Sequence, residues 1–426
     1  MVEIHEEADM NAAFSGCALA LVAAAALPAQ ELKVNALVIT WYHQMLDNNL
    51  RLDSSAPYYA LGGSKGAGSQ EPMRENGFSI RRAEIYLNGK LNDEFSAGVI
   101  FDPKESNPLL LDATITWKPS ETFEVKAGQF KPLLTYEAVS VGSPDLIFVD
   151  RSQYARRFGD IRDRGLTVAT TLGDKDLSVK LTGGVFNGAN RDNDANAQKD
   201  YVARVDLSAG AHKAGAYGLV GSTDVKDTTG LGIVPAQGAI DAAWGPNAPS
   251  REAILDHKDR TTAFGAYYRF TTGPWHADAE VVTGQLGRRF ATLAATSPTL
   301  KREHLDQEYL SAWITGSYRF AERHIFSLRY DYFDFNAGDD WYTDYNPYKY
   351  SAVGVRRTVN GSVVDYTPCF TEATLGYTFV WDPKLVRRAN FKLNYIWRSK
   401  NFLAPNAGQS GEQGGDSLVA AFQVYF

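Results

Sequence analysis

The sequence predicts an all-β protein: a 16-stranded antiparallel transmembrane β-barrel with one segment folded inward as a constriction loop. Three observations carry this. From Val34 to the end of the chain, segments of about ten residues alternate apolar and polar side chains at period two, the strand signature. The connections between them alternate between short and long, as a barrel with tight turns at one rim and long loops at the other requires. Aromatic residues gather at strand ends (Trp117, Trp275, Tyr318, Phe320, Phe379, Trp397). A lipid–water boundary favours them there, because the ring is apolar and its OH or NH stays wet.

Composition narrows the alternatives. The 426 residues are 44% hydrophobic and 22% charged, with 22 Tyr, 22 Phe, 8 Trp, 37 Gly and 2 Cys. A helical membrane protein needs runs of about 20 apolar residues, and the chain has none. Aromatics spread along the whole chain exclude disorder, and two cysteines exclude a disulfide scaffold. A net charge of -7 speaks against a nucleic-acid partner. The apolar run Ala18–Ala29 (ALALVAAAALPA) is too short to span a bilayer as a helix and fits a secretory signal. Residues 1–29 are therefore read as a signal peptide, against the competing reading of a buried Ala-rich helix. The segment departs from the usual pattern in its acidic start and in Leu27, which stands where a small residue is preferred. Residues 30–426 then form one barrel domain.

Taken in order, the first strand is 34–43, followed by a long connection. Strands 78–90 and 94–103 turn through Asn92-Asp93, and 109–118 and 122–130 turn through Pro119-Ser120-Glu121. Strands 162–171 and 176–187 turn at Gly173-Asp174-Lys175, 199–208 and 214–223 at Ala209 to Lys213, and 261–272 and 274–284 at Gly273. Strands 308–319 and 324–335 turn at Ala321-Glu322-Arg323, 369–380 and 388–399 at Trp381 to Val386, and 416–426 ends the chain on Phe426. These turns are rich in residues that adopt tight backbone conformations. Between the hairpins lie long segments such as 44–77, 131–161, 224–260, 285–307 and 336–368. Two strands show the alternation without interruption. Phe326, Leu328, Tyr330 and Tyr332 oppose Ser327, Arg329 and Asp331, and Phe391, Leu393, Tyr395 and Trp397 oppose Lys392, Asn394 and Arg398. Charges recur on the polar faces, as a wet lumen allows, and a closed sheet is obligatory in lipid, where an open edge has no partner. Sixteen strands enclose a bore too wide for wall side chains to fill, so an aqueous channel is expected.

The segment Lys131–Ile161 has an apolar middle (Leu146, Ile147, Phe148, Val149) unsuited to a loop in solvent. Folding inward would bury it and narrow the bore. It carries Lys131, Arg151, Arg156 and Arg157, with Arg162 and Arg164 just beyond. Fixed cations in a confined lumen favour anions. The other reading is that these bases pair with Asp145, Asp150, Asp160 and Asp163.

Three segments resemble the phosphate-selective porin O and P family: Phe78–Lys90 (FSIRRAEIYLNGK) leading into Phe95–Pro103 (FSAGVIFDP), Val125–Glu137 (VKAGQFKPLLTYE), and Asp150-Arg151-Ser152. The resemblance implies a homotrimeric porin of the bacterial outer membrane, in contact with outer-membrane lipid and passing small anionic solutes, with 131–161 as the constriction. It implies anion-guiding roles for Arg82, Lys131 and Arg151. Two departures stand out: Leu133-Leu134 replaces an aromatic that often follows the proline, and the segment lacks the lysine-rich cluster of phosphate-specific members. No cofactor, metal or catalytic set is expected. Gly62–Gly68 (GGSKGAG) lacks the Lys-Ser/Thr pair of a phosphate loop, and Asp339, Asp340 and Asp344 read as solvated loop acids rather than a Ca²⁺ site. The competing function is a barrel serving as receptor or sheath for a partner protein, against which the apolar inward segment counts.

Overall fold

The computed structural model describes residues 31–46, 76–104, 109–189, 191, 194, 197–224, 236–244, 250–252, 258–286, 307–334, 337, 356–359, 362–365, 369–384, 388–399 and 416–426. The segment 1–29 read as a signal peptide, the Gly62–Gly68 segment and the Asp339, Asp340 and Asp344 cluster lie outside them.

Sixteen strands close into one antiparallel barrel. They are β1 (Glu31–Met45), β2 (Asn76–Lys90), β3 (Phe95–Phe101), β4 (Leu110–Trp117), β5 (Phe123–Phe130), β6 (Asp163–Gly173), β7 (Leu177–Phe186) and β8 (Asp200–Ala209). The second half comprises β9 (His212–Asp224), β10 (Lys258–Thr272), β11 (Trp275–Leu286), β12 (Gln307–Phe320), β13 (His324–Asp334), β14 (Cys369–Val380), β15 (Ala389–Arg398) and β16 (Ser417–Tyr425). Each strand pairs with its neighbours in sequence, and β16 returns to pair with β1. Ala36 and Phe426 exchange both backbone hydrogen bonds, at 2.7 and 3.0 Å, and seal the last edge. The sixteen strands read from the sequence are all present, with ends shifted by a few residues. A further two-stranded hairpin, Arg356–Val359 with Ser362–Asp365, stands in the β13–β14 connection apart from the barrel.

The period-two faces sort as read. On β13, Phe326, Leu328 and Tyr330 are exposed on the outer face, while Ser327, Arg329 and Asp331 are buried inside. One feature of the inner face differs from the expectation of a wholly polar lumen. β1 turns Leu37, Ile39 and Trp41 inward, where they pack with Val149, Ile396, Val419 and Ala421. A second internal cluster joins Phe130, Phe186, Val202, Tyr217, Leu219, Val282, Tyr309, Phe333 and Phe370 of the wall to Leu134 and Tyr154 of the inward segment. Apolar wall positions are stable inside a wet barrel only when something dry covers them. The cover here is the segment 131–161, and each aliphatic side chain it buries contributes about 1.5–3 kcal/mol.

Candidate functional site

The chain leaves β5 at Lys131, turns inward, and forms the short helix α1 (Tyr136–Ser140). Thr135 caps α1 by accepting the Ala138 amide at 2.9 Å, and holds φ at 62°, a conformation unfavourable for a β-branched residue. Arg204 on β8 steadies this corner by donating to the Thr135 carbonyl at 3.1 Å. Glu280 on β11 accepts the Tyr136 amide at 2.8 Å, the Tyr217 hydroxyl at 2.8 Å and the Trp313 indole N–H at 3.1 Å. The segment then crosses to the far wall. Gln423 donates to the Pro144 carbonyl at 2.7 Å, Thr378 to the Ile147 carbonyl at 3.1 Å, and the Val149 amide donates to Asn394 at 2.8 Å. Phe148 fills the pit left by Gly376 on β14, and Arg329 lies 4.7 Å from its ring centre. A helical turn, Ala155–Gly159, leads back toward β6.

Charge pairing holds this path. A β-bulge lies where the β1–β2 register shifts, so that Ile39 faces Arg82 while Thr40 faces Ile80. The bulge lets two successive arginines act on the same side. Arg81 reaches Asp150 at 3.0 Å, and Arg82 reaches Glu84 at 2.6 Å and Asp160 at 3.1 Å. Asp160 also meets Lys131 at 2.7 Å, Arg162 at 3.5 Å and Arg151 at 3.8 Å. Burial raises the Asp160 carboxyl, but Lys131, Arg82, Arg162 and Arg151 outweigh it and hold it well below the usual carboxylate range. Lys131 is pushed down to about 7 by burial, against the upward pull of Asp160 and with the Arg151 and Arg162 charges adding to the fall.

The remaining sequence candidates separate. Arg151 is fully buried and donates to the Glu137 carbonyl, so it ties the segment to itself. Arg156 pairs at 3.3 Å with Glu372 on β14, a carboxylate that also meets Arg398 at 3.1 Å and Arg329 at 3.6 Å. Arg162 pairs with Asp112 at 2.9 Å. Arg164 donates to the Gln129 side chain at 3.4 Å and to the Arg191 carbonyl at 2.8 Å. Arg157 lies in the helical turn, and its side chain falls outside the described residues. The structure thus gathers Arg82, Lys131, Arg151 and Arg162 around Asp160 and sends Arg156 and Arg164 elsewhere.

Between the inward segment and the β2–β10 wall lies a cavity of about 660 Å³. Of the seven sequence candidates, Lys131 and Arg162 line it. Wall cations complete the lining: Lys126, Lys180, Arg204, Lys213 and Arg269, set against the acids Glu84, Asp112, Glu124 and Asp206. Seven basic side chains therefore face four acidic ones. Lys180 meets Glu124 at 3.7 Å, and Arg204 meets Asp206 at 2.9 Å. Lys126, Lys213 and Arg269 make no ion pair with a carboxylate among the described residues; Lys126 lies 4.6 Å from the Phe130 ring centre, and Arg269 donates to the Tyr136 hydroxyl. Lys213 and Arg269 sit directly opposite each other on β9 and β10. Inward alternation marks most of these wall cations in the sequence. Which of them stay in water depends on where the inward segment lies.

A sealed sixteen-strand barrel with an apolar belt outside and a charged cavity narrowed from within is a diffusion channel of an outer membrane. The chain belongs to the phosphate-selective porin O and P family, whose profile it matches over residues 66–426, and it is accordingly a bacterial outer-membrane porin for small solutes. No curated protein matches the chain by sequence. Solved structures share the fold. The outer membrane channel DcaP of Acinetobacter baumannii is 11% identical with a TM-score of 0.56, over 93% of this chain and 97% of that one. An anion-selective porin from Comamonas acidovorans is 12% identical with a TM-score of 0.51, over 93% and 99%. Salmonella typhi OmpF, solved in complex with daunomycin, is 11% identical with a TM-score of 0.51, over 93% and 97%.

Proposed function

We propose that the channel favours small anions, phosphate-like oxyanions among them, and that the cations bordering the cavity set this preference. The carrying observation is the excess of basic over acidic side chains on the cavity lining, with Lys126, Lys213 and Arg269 free of carboxylate ion pairs among the described residues. Cations that are not neutralised nearby lower the electrostatic barrier for anions and raise it for cations. The chain's net charge of -7 belongs to the whole molecule and does not set the field in the cavity. A homotrimeric assembly follows from the family resemblance and is checked by the mass of the detergent-solubilised protein.

Planar-bilayer recording across a KCl gradient tests the preference. The reversal potential is expected on the chloride side, and Lys126→Glu combined with Arg269→Glu is expected to move it toward potassium. Cation preference in the unaltered protein would refute the proposal.

A further inference from the structure

Two carboxylates inside the barrel gather several cations each, and they differ in what they face. Glu372 meets Arg156, Arg329 and Arg398 and its side chain has no exposure, so it serves the packing of the inward segment against the wall. Asp160 meets Lys131, Arg82, Arg162 and Arg151, and its side chain keeps 22% exposure. Its partners Lys131 and Arg162 border the cavity. One ion pair would tether the return of the segment to β6; four cations around one carboxylate resemble the surroundings of a bound anion. The two oxygens divide the set. Oδ1 faces Lys131, Arg162 and Arg151, and Oδ2 faces Arg82. Arg82 and Arg162 have further carboxylates in Glu84 and Asp112, whereas among the described residues Lys131 and Arg151 ion-pair with Asp160 alone. Two N–H-bearing atoms of the Arg151 guanidinium, Nε and Nη2, are buried without a hydrogen-bond partner.

We propose that Asp160 is a tethered anion, occupying the constriction's cation cluster in the place of a small carboxylate solute and keeping solute binding there weak. A permeating anion then competes with a carboxylate that never leaves. Weak sites favour flux, because an ion must depart as readily as it arrives. The inference rests on the anion reading above and names the solute class of that cluster: small carboxylates, whose charge and two-oxygen geometry match those of the Asp160 side chain.

Asp160→Asn removes the tethered charge with little change of shape. A unit charge about 6 Å from a permeating ion in water alters its occupancy roughly threefold. The anion-to-cation permeability ratio in KCl is therefore expected to rise at least about threefold over the unaltered protein. Acetate, used as the probe, is expected to block chloride current at lower concentration in Asp160→Asn than in the unaltered channel. Asp160→Glu keeps the charge and should preserve both values. Asp160→Ser supplies the same reading if the asparagine variant fails to give conducting channels. A rise in conductance with an unchanged permeability ratio and no gain in acetate block would show that Asp160 only fastens the segment, and would overturn the inference. The comparison is independent of the starting preference. A cation-preferring native channel whose Asp160→Asn variant still shifts toward anions refutes the anion reading and leaves the tethered anion standing.

Discussion

Raising the pH from 6 to 8 should remove one of the charges that border the cavity. Burial pushes Lys131 down to about 7, far below an ordinary lysine, although Asp160 pulls the other way. A lowered lysine is charged below its pKa and neutral above it, so it is about 90% charged at pH 6 and about 10% at pH 8. In water, a unit charge about 6 Å from a permeating ion is worth about 0.7 kcal/mol. Screening at 0.1 M salt cuts this to about 0.4 kcal/mol. That is about a twofold loss for anions and a twofold gain for cations, or about fourfold in their ratio. The assay is the reversal potential of single channels in a KCl gradient, stepped from pH 6 to pH 8. Anion preference should be greatest on the acid side and fall with a midpoint near 7. Lys131→Met should flatten the profile at its high-pH level. A flat profile in the native channel, or an unchanged one in Lys131→Met, would refute the assignment of this titration to Lys131.

Two further substitutions test how the constriction is held. Phe148→Ala empties the pit at Gly376 and should loosen the inward segment by about 3–5 kcal/mol, seen as higher and noisier single-channel conductance; a quiet channel of native conductance would show that the backbone anchors at Pro144, Ile147 and Val149 suffice. Glu372→Gln leaves Arg156, Arg329 and Arg398 around a neutral amide and should cost about 3–5 kcal/mol. A lowered unfolding temperature in detergent is expected, and an unaltered one would remove Glu372 from the packing of the segment.

The barrel was legible because lipid outside and water inside write their difference into every second residue. Phe326, Leu328 and Tyr330 against Ser327, Arg329 and Asp331 is a pattern that one face against lipid produces, and the short turns fix the order of strands. The inward path of 131–161 was legible for a related reason: Leu146 to Val149 is apolar where a solvent loop would be polar, and the structure places Val149 on Leu37, Ile39 and Trp41. Arg81 was not legible, because strict alternation assigns Arg81 and Arg82 to opposite faces and only the bulge brings both to the constriction. The wall cations Lys126 and Arg269 carry the inward alternation, yet nothing local distinguishes them from Lys392, buried against Gln423 on the covered side of the bore, and Lys213 reads as a turn residue until the strand is seen to begin at His212.

The sequence by itself determined the fold, because periodicity is a local property and each strand carries its own record of lipid and water. It also determined that basic residues crowd the constriction segment. Only the tertiary structure decided which of them border the cavity. Arg151 is spent inside the segment and Arg156 on Glu372, while Lys131 and Arg162 remain beside the cavity with Asp160 among them. The physical reason is that a charge works on a permeating ion only where water reaches both. In this barrel, that depends on which half of the wall the folded segment leaves wet.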